Sequence, residues 1–239
     1  MVPYIIINGV SSKNINGLLI QSLPPISKPK IRLTTEEIDG RDGDVVTVNG
    51  YAAYDKAITI GLKGEYNVDD VIEYFNTSGI ITFSNELDKY YKFAIYDVID
   101  FNKLIRFKTA TVKMHVQPFK YSIDEPPILW ENEGAETIAH LPVVNKGNTY
   151  SKPLLTIEGS NTITVYIDNK QILSINLDGA GETIIIDPVA MNALTPNGDF
   201  LNRKVTGDYK NFRLKPGTNN IRITGAVDTI TLETVSRWI

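Results

Sequence analysis

Alternation of apolar and polar residues is the main pattern of the first half of the chain. In KAITIGL the residues Ile58, Ile60 and Leu62 share one face, and TATVKMHVQ alternates in the same way. A period of two over such spans predicts half-buried antiparallel strands. Further strands are predicted at IIIN, KIRLTTE, IITF and YYKFAIYDV.

One segment of the first half has helical spacing instead. Apolar residues recur at intervals of three and four from Val68 to Phe75. Asn67 can cap the N-terminus of a helix, and Gly79 can end it. We therefore expect a helix at about residues 68–77, with its apolar stripe packed on a sheet.

Periodicity lapses in the segment QPFKYSIDEPPILWENEGAE, which combines three prolines with acidic residues and a glycine. Such segments are typical of domain boundaries. We therefore divide the chain into residues 1–130, which include the linker, and residues 131–239. Trp130 and His140 are expected to lie in this irregular region.

The second half is predicted to be almost purely β. Short apolar runs are separated by Gly, Asn, Asp and Pro, which favours a β-sandwich. YIDNKQI predicts a tight hairpin around Asn169. DGAGET at residues 178–183 is expected to be a hairpin loop, because it does not lead from a strand into a phosphate-binding helix.

The composition of the chain limits the classes of function that it can have. The 239 residues are 42% hydrophobic and 22% charged, with a net charge of −4 and no cysteine. This composition is typical of a globular protein and excludes disulfides and thiolate-based zinc sites. It offers no basic excess for nucleic-acid binding. The N-terminal MVPYIIING has no basic region before its apolar run, so no targeting signal is expected.

The segment IDGRDGD at residues 38–44 raises the question of a metal site. An EF-hand loop needs oxygen ligands at alternating positions. Counting from Asp42, the fifth position is Val46, and counting from Asp39, the third is Arg41. We therefore interpret the segment as a turn in which Gly40 and Gly43 supply positive φ.

No catalytic, cofactor or metal site is predicted. His115 and His140 have no partner at a recognised spacing, and no nucleophile or nucleotide-binding motif is found. The first half contains a cluster of tyrosines, a residue type favoured at subunit interfaces. The cluster consists of Tyr51, Tyr54, Tyr90, Tyr91 and Tyr96.

The order of these segments resembles the distal tail proteins (Dit) of long-tailed siphophages. In the first half the resemblance runs through IIINGV, GLLIQSLPPISKP, EIDGRDGD, GYAAYDKAITIGL, SGIITFSNELDKYYKFAIYD and VQPFKY. In the second half it runs through NKGNTYSKPLLTIEG, VYIDNKQ, IIIDP and LKPGTNNIRI. It covers nearly the whole chain, and the order of the motifs is more specific than any single one.

The resemblance implies a mainly β structural protein of the virion tail, assembled in the cytoplasm of the bacterial host. It implies an N-terminal β-rich domain with one helix that forms a homo-hexameric ring, and a C-terminal galectin-like β-sandwich. The ring would join the tail tube protein to a tail-tip, lysin-type protein and to the baseplate or receptor-binding protein for host adsorption. DNA would pass through its channel without specific binding, and no membrane partner or enzyme activity is implied.

Arg41, Tyr51 and Tyr54 are the candidate subunit-interface residues. In the family a Gly-Arg-x-Gly turn precedes the long strand region, and Arg41 is expected to pair with a carboxylate locally or across the ring interface.

Two other interpretations remain open. The first is a carbohydrate-binding protein that acts through the C-terminal sandwich, with Trp130, Tyr150 and Tyr209 as stacking candidates. The second is an accessory domain of a glycosidase or cell-wall hydrolase, because opposed carboxylates cannot be recognised from spacing alone.

Overall fold

The computed structural model describes residues 2–134 and 137–239. The described chain is mainly β, with 56% of residues in strands and 9% in helices, which confirms the predicted fold class. It divides into two compact units, one ending at Ile123 and one spanning Asp124–Trp238. Residues 135–136, at the end of the predicted boundary segment, lie outside the described part.

The first unit is built on one antiparallel sheet and a separate hairpin. Its strands are β1 Ile5–Ile7, β2 Val10–Ser11, β3 Leu18–Ser22, β4 Ile31–Glu37, β5 Asp44–Tyr51, β6 Tyr54–Leu62, β7 Ser78–Phe83, β8 Lys89–Ala94 and β9 Thr109–Ser122. The sheet has the order β2-β1-β7-β8-β9-β6-β3, whereas β4 and β5 pair only with each other among the described strands. The alternating residues of β6 and β9 point into the core, as the sequence pattern predicts.

Two helices cover the core of the first unit. Helix α1 (Val68–Phe75) begins as predicted, with the Asn67 side chain accepting a hydrogen bond from the backbone N–H of Asp69. It ends at the cap residue Asn76, so the prediction that Gly79 ends it is wrong. Gly79 lies in β7 instead, because that strand already begins at Ser78 to pair with β8.

Helix α2 (Phe101–Phe107) was not predicted from the sequence. Asp100 caps it by accepting a hydrogen bond from the backbone N–H of Lys103 at 2.8 Å. Lys108 ends it in the left-handed conformation. Leu104 is its only fully buried residue, and the partly buried Phe101 packs against the same core.

The second unit is one curled antiparallel sheet. Its strands are β10 Ile128–Glu131, β11 Ile138–Asn145, β12 Leu154–Ile167, β13 Lys170–Asp187, β14 Asn192–Leu194, β15 Val205–Gly207 and β16 Gly217–Glu233. The short strand β17, Arg237–Trp238, is not part of this sheet. The order is β10-β16-β12-β13-β14, with β11 also paired to β16 and β15 to β13. A short 3₁₀ helix, Asn202–Lys204, leads into β15, and another, Ser12–Asn14, follows β2 in the first unit.

Three long strands bend midway, which lets the sheet curl around its own core. The register of β12 shifts against β13 and β16 near Gly159, and residues from both halves of these strands share one core. The segment at 178–183 lies in this bend. It is therefore an irregularity inside β13 and not the hairpin loop that we expected.

The hairpin predicted around Asn169 is confirmed. Asp168 and Asn169 both have positive φ between β12 and β13, as a type I′ turn requires.

The region predicted to be irregular is more regular than expected. Strand β9 continues through Pro118 to Ser122, with a register shift opposite β8 near that proline. Trp130 lies in β10, and His140 lies in β11 opposite Arg222. The prediction that both residues lie in an irregular linker is therefore wrong.

Candidate functional site

The β4–β5 hairpin stands apart from both sheets. Its register runs from Ile31 opposite Tyr51 to Glu37 opposite Asp44, and most of its residues are exposed. An isolated two-stranded hairpin is marginally stable in water, because it has no second layer to cover an apolar face. Its exposure therefore makes it the strongest candidate for an assembly surface.

One face of the hairpin is apolar. Leu33 lies opposite Val48, and Thr35 lies opposite Val46. The exposed fractions of Leu33, Val46 and Val48 are 53%, 54% and 64%. The other face is more polar: it carries Thr34 opposite Thr47 and Glu36 opposite the half-buried Val45. The hairpin is therefore amphipathic.

The turn of the hairpin has the predicted backbone. Gly40 and Gly43 have φ of +78° and +77°, which confirms the interpretation of IDGRDGD as a glycine turn. The backbone N–H of Arg41 donates to the carbonyl of Ile38 at 3.1 Å. Within the described residues the Arg41 side chain is exposed and forms no ion pair.

Aromatic and polar contacts fix the base of the hairpin. The ring of Tyr51 packs edge-on against Phe119, with a centroid distance of 5.6 Å. The hydroxyl of Tyr54 donates to the carbonyl of Ser27 at 3.4 Å, and burial raises the pKa of this hydroxyl. Tyr51 and Tyr54 therefore hold the hairpin on its own subunit.

A buried lysine anchors the segment that leads into the hairpin. Lys56 is only 4% exposed, and its ammonium group donates to the carbonyl of Pro25 at 2.8 Å. Desolvation lowers the pKa of Lys56, against the opposing effect of Glu86. Next to it, Lys120 forms an ion pair with Glu86 at 2.6 Å, and the Tyr91 hydroxyl donates to the same carboxylate at 3.2 Å.

The other tyrosines of the cluster have separate environments. Tyr91 is buried in the core, and burial raises its pKa well above the usual range. Tyr90 stacks on Tyr121 at 5.3 Å, whereas Tyr96 is 78% exposed beside His115. His115 is paired with Asp55 at 2.8 Å. The cluster seen in the sequence is therefore not one surface.

The stacking candidates of the second unit are covered within that unit. Trp130 and Tyr209 pack against the core, and the guanidinium groups of Arg213 and Arg237 lie 5.3 and 4.7 Å from the ring centre of Tyr150. A sugar-binding platform needs an open ring face. These three residues therefore do not form such a platform as arranged.

The described residues offer neither a metal site nor a membrane-spanning helix. They contain no group of three or more His, Cys, Asp or Glu side chains that could hold a metal ion. Within residues 2–134 and 137–239, neither helix has the length and apolarity needed to cross a membrane.

The fold is that of phage tail hub and baseplate proteins. SPP1 Dit, described as a paradigm of the hub adsorption apparatus in phages that infect Gram-positive bacteria, matches with a TM-score of 0.67. The alignment covers 100% of both chains at 20% sequence identity. The resemblance inferred from the sequence is thus confirmed at the level of the fold.

A second structural match is more distant. A chain of the phage P2 baseplate in its activated conformation with calcium matches with a TM-score of 0.50 and 9% identity, covering 99% of this chain and 98% of that one. No protein-family model and no curated protein matches the sequence.

Sequence reasoning did not identify the apolar face of the hairpin as exposed. The alternation in IRLTTEE and DVVTVNG was visible, but alternation predicts a half-buried strand without saying what covers it. The acidic turn next to Leu33, Val46 and Val48 is the one feature of the sequence that indicates exposure of this face. Its five carboxylates in residues 36–44 disfavour burial in the subunit's own core.

Proposed function

We propose that this chain is a structural protein of a siphophage tail, the distal hub that forms a hexameric ring. The ring would connect the tail tube to the tail tip or baseplate and to the receptor-binding apparatus. Support comes from the full-length similarity to SPP1 Dit. No catalytic role is proposed.

The observation that carries this proposal is the unpartnered amphipathic hairpin. An exposed apolar face on a marginally stable element gains stability when a second protein covers it. A closed ring uses a head-to-tail interface, in which each subunit offers two different surfaces. The hairpin has the properties of one such surface, and Tyr51, Tyr54 and Lys56 hold its base in a defined direction.

Native mass spectrometry and negative-stain imaging test the proposal. The expected result is a six-fold ring for the purified protein or for the protein bound to isolated tail tubes. A strict monomer that also fails to bind tails would refute it.

A matched pair of variants tests the role of the hairpin. Val48→Asn removes an apolar side chain from the exposed face, and we expect it to reduce ring formation at least tenfold while leaving the circular dichroism spectrum unchanged. Thr47→Asn changes the adjacent residue on the opposite face and should assemble normally. Equal assembly of both variants would exclude the apolar face as the interface.

The channel of such a ring would let DNA pass without specific binding. The net charge of −4 supports this part of the proposal, because an acidic surface does not attract phosphates. Reversing the charge of the lumen should slow DNA ejection, and unchanged ejection would count against this role.

Carbohydrate binding by the second unit has less support. Its three stacking candidates, Trp130, Tyr150 and Tyr209, are covered by core residues or guanidinium groups.

A further inference from the structure

Helix α2 presents a basic and apolar surface to solvent. Ile105 and Phe107 are 40% and 62% exposed, and Lys103 and Arg106 are exposed as well. The guanidinium group of Arg106 lies 5.3 Å from the ring centre of Phe107. Within the described residues, Lys103 and Arg106 form no ion pair. We call Lys103, Arg106 and Phe107 the α2 surface, because residues at i, i+3 and i+4 share one face of a helix, whereas Ile105 points to a different side.

The hairpin has the complementary chemistry. Residues 31–44 contain five carboxylates against two arginines, and the apolar face of the hairpin carries Leu33, Val46 and Val48. The carboxylates are Glu36, Glu37, Asp39, Asp42 and Asp44. An acidic and apolar surface thus exists on the same subunit as a basic and apolar one, which favours contact between copies.

The two surfaces lie at opposite ends of one strand pair. The hairpin joins the sheet at the start of β6, where Tyr54 is opposite Val116, and α2 leads into β9 where Thr109 is opposite Gly61. A strand of nine residues spans roughly 30 Å. Both surfaces are exposed, so the hairpin does not cover α2 of its own subunit.

We infer that the α2 surface of one subunit receives the β4–β5 hairpin of the next copy of the chain. This inference rests on the proposed ring, because it names the second surface that a head-to-tail contact requires. Val46, Val48 and Leu33 would pack on Phe107, while the carboxylates near the turn face Lys103 and Arg106.

The absence of cysteine allows a direct test by cross-linking. The double variant Val48→Cys with Phe107→Cys should give a ladder of covalent oligomers up to the hexamer after mild oxidation. Neither single variant should give more than a dimer. The control Val48→Cys with Val189→Cys uses an exposed valine of the second unit and should give no ladder. No ladder from the variant with Val48→Cys and Phe107→Cys, in a protein that still forms rings, would overturn the inference.

A charge exchange tests the electrostatic part. Lys103→Glu with Arg106→Glu should raise the dissociation constant of the ring at least tenfold, and adding Glu36→Lys with Glu37→Lys should restore most of the affinity. If the wild type forms rings but the double cysteine variant does not cross-link and the charge exchange has no effect, the α2 contact is refuted and the proposed function stands. No wild-type ring in solution or on tails would refute both.

Discussion

Asp168 supports the β12–β13 turn through its charge. Its carboxylate accepts hydrogen bonds from the Lys215 ammonium at 2.6 Å and from the Asn220 backbone N–H at 3.1 Å. These contacts, led by Lys215, lower the pKa of Asp168 below its ordinary value of 3.8. The folded state therefore favours the charged form.

This lowered pKa predicts a pH-dependent effect of Asp168→Asn. The stabilisation is complete above the ordinary pKa and is lost as the pH falls through the lower pKa of the folded state. We expect the variant to lose about 0.5–1 kcal/mol at neutral pH, because the pair is partly exposed and screened. Urea unfolding at several pH values measures this, and a loss that persists at pH values below both pKa values would contradict it.

Position 207 requires a glycine, because of both its backbone conformation and the small space around it. Its φ is +130°, and an added Cβ would clash with the carbonyl oxygen of Ile172. We expect Gly207→Ala to lower the free energy of unfolding by about 2 kcal/mol or more. Gly179→Ala is the control, because Gly179 has open space and no positive φ. Equal effects of the two changes would contradict this explanation.

At the scale of elements, α2 depends on its N-terminal cap. Asp100 is the only side chain that satisfies a backbone N–H in its first turn within the described residues. Asp100→Ala should cost about 1 kcal/mol, and the amides of the helix should exchange faster with solvent. Asn102→Ala, at an exposed position of the same turn, should leave exchange unchanged.

The correctly predicted elements are those whose structure is determined by the pattern of their own residues. Ile58, Ile60 and Leu62 are buried as their alternation requires, and Asn67 caps α1. Helix α2 was missed because its seven residues bury only Leu104, which leaves almost no periodic signal.

Other features depend on distant partners and could not be predicted from local patterns. The bend at 178–183 exists because β13 pairs with β12 on both sides of it, so a glycine-rich segment became part of a strand. For the candidate site, Gly40 and Gly43 were recognised from turn chemistry. The anchoring of Tyr54 and Lys56 by the carbonyls of Ser27 and Pro25 required the tertiary structure.

At the scale of the whole molecule, opposite charges on the two proposed contact surfaces predict salt-sensitive assembly. Ions screen exposed charges over about 8–10 Å at physiological strength and over about 3 Å at 1 M. Ring formation should therefore weaken steadily as sodium chloride is raised, as sedimentation velocity can measure. The variant with Lys103→Gln and Arg106→Gln should assemble weakly at all salt concentrations. If assembly of the wild type strengthens with salt instead, the result argues against a contribution of these charges.

The position of β16 in the second unit has a consequence for the order of folding. Among the described strands, β10 and β11 pair only with β16, and β16 pairs in turn with β12, where Ile167 meets Ile221 and Leu154 meets Glu233. The β12–β13 hairpin closes through two turn residues, whereas β16 must return across a long loop of chain. We therefore expect pulse-labelled amides of β12 and β13 to be protected from hydrogen exchange before those of β10 and β11. The reason is that β10 and β11 pair with β16, which joins the sheet late. Protection of β10 or β11 first would show a different route.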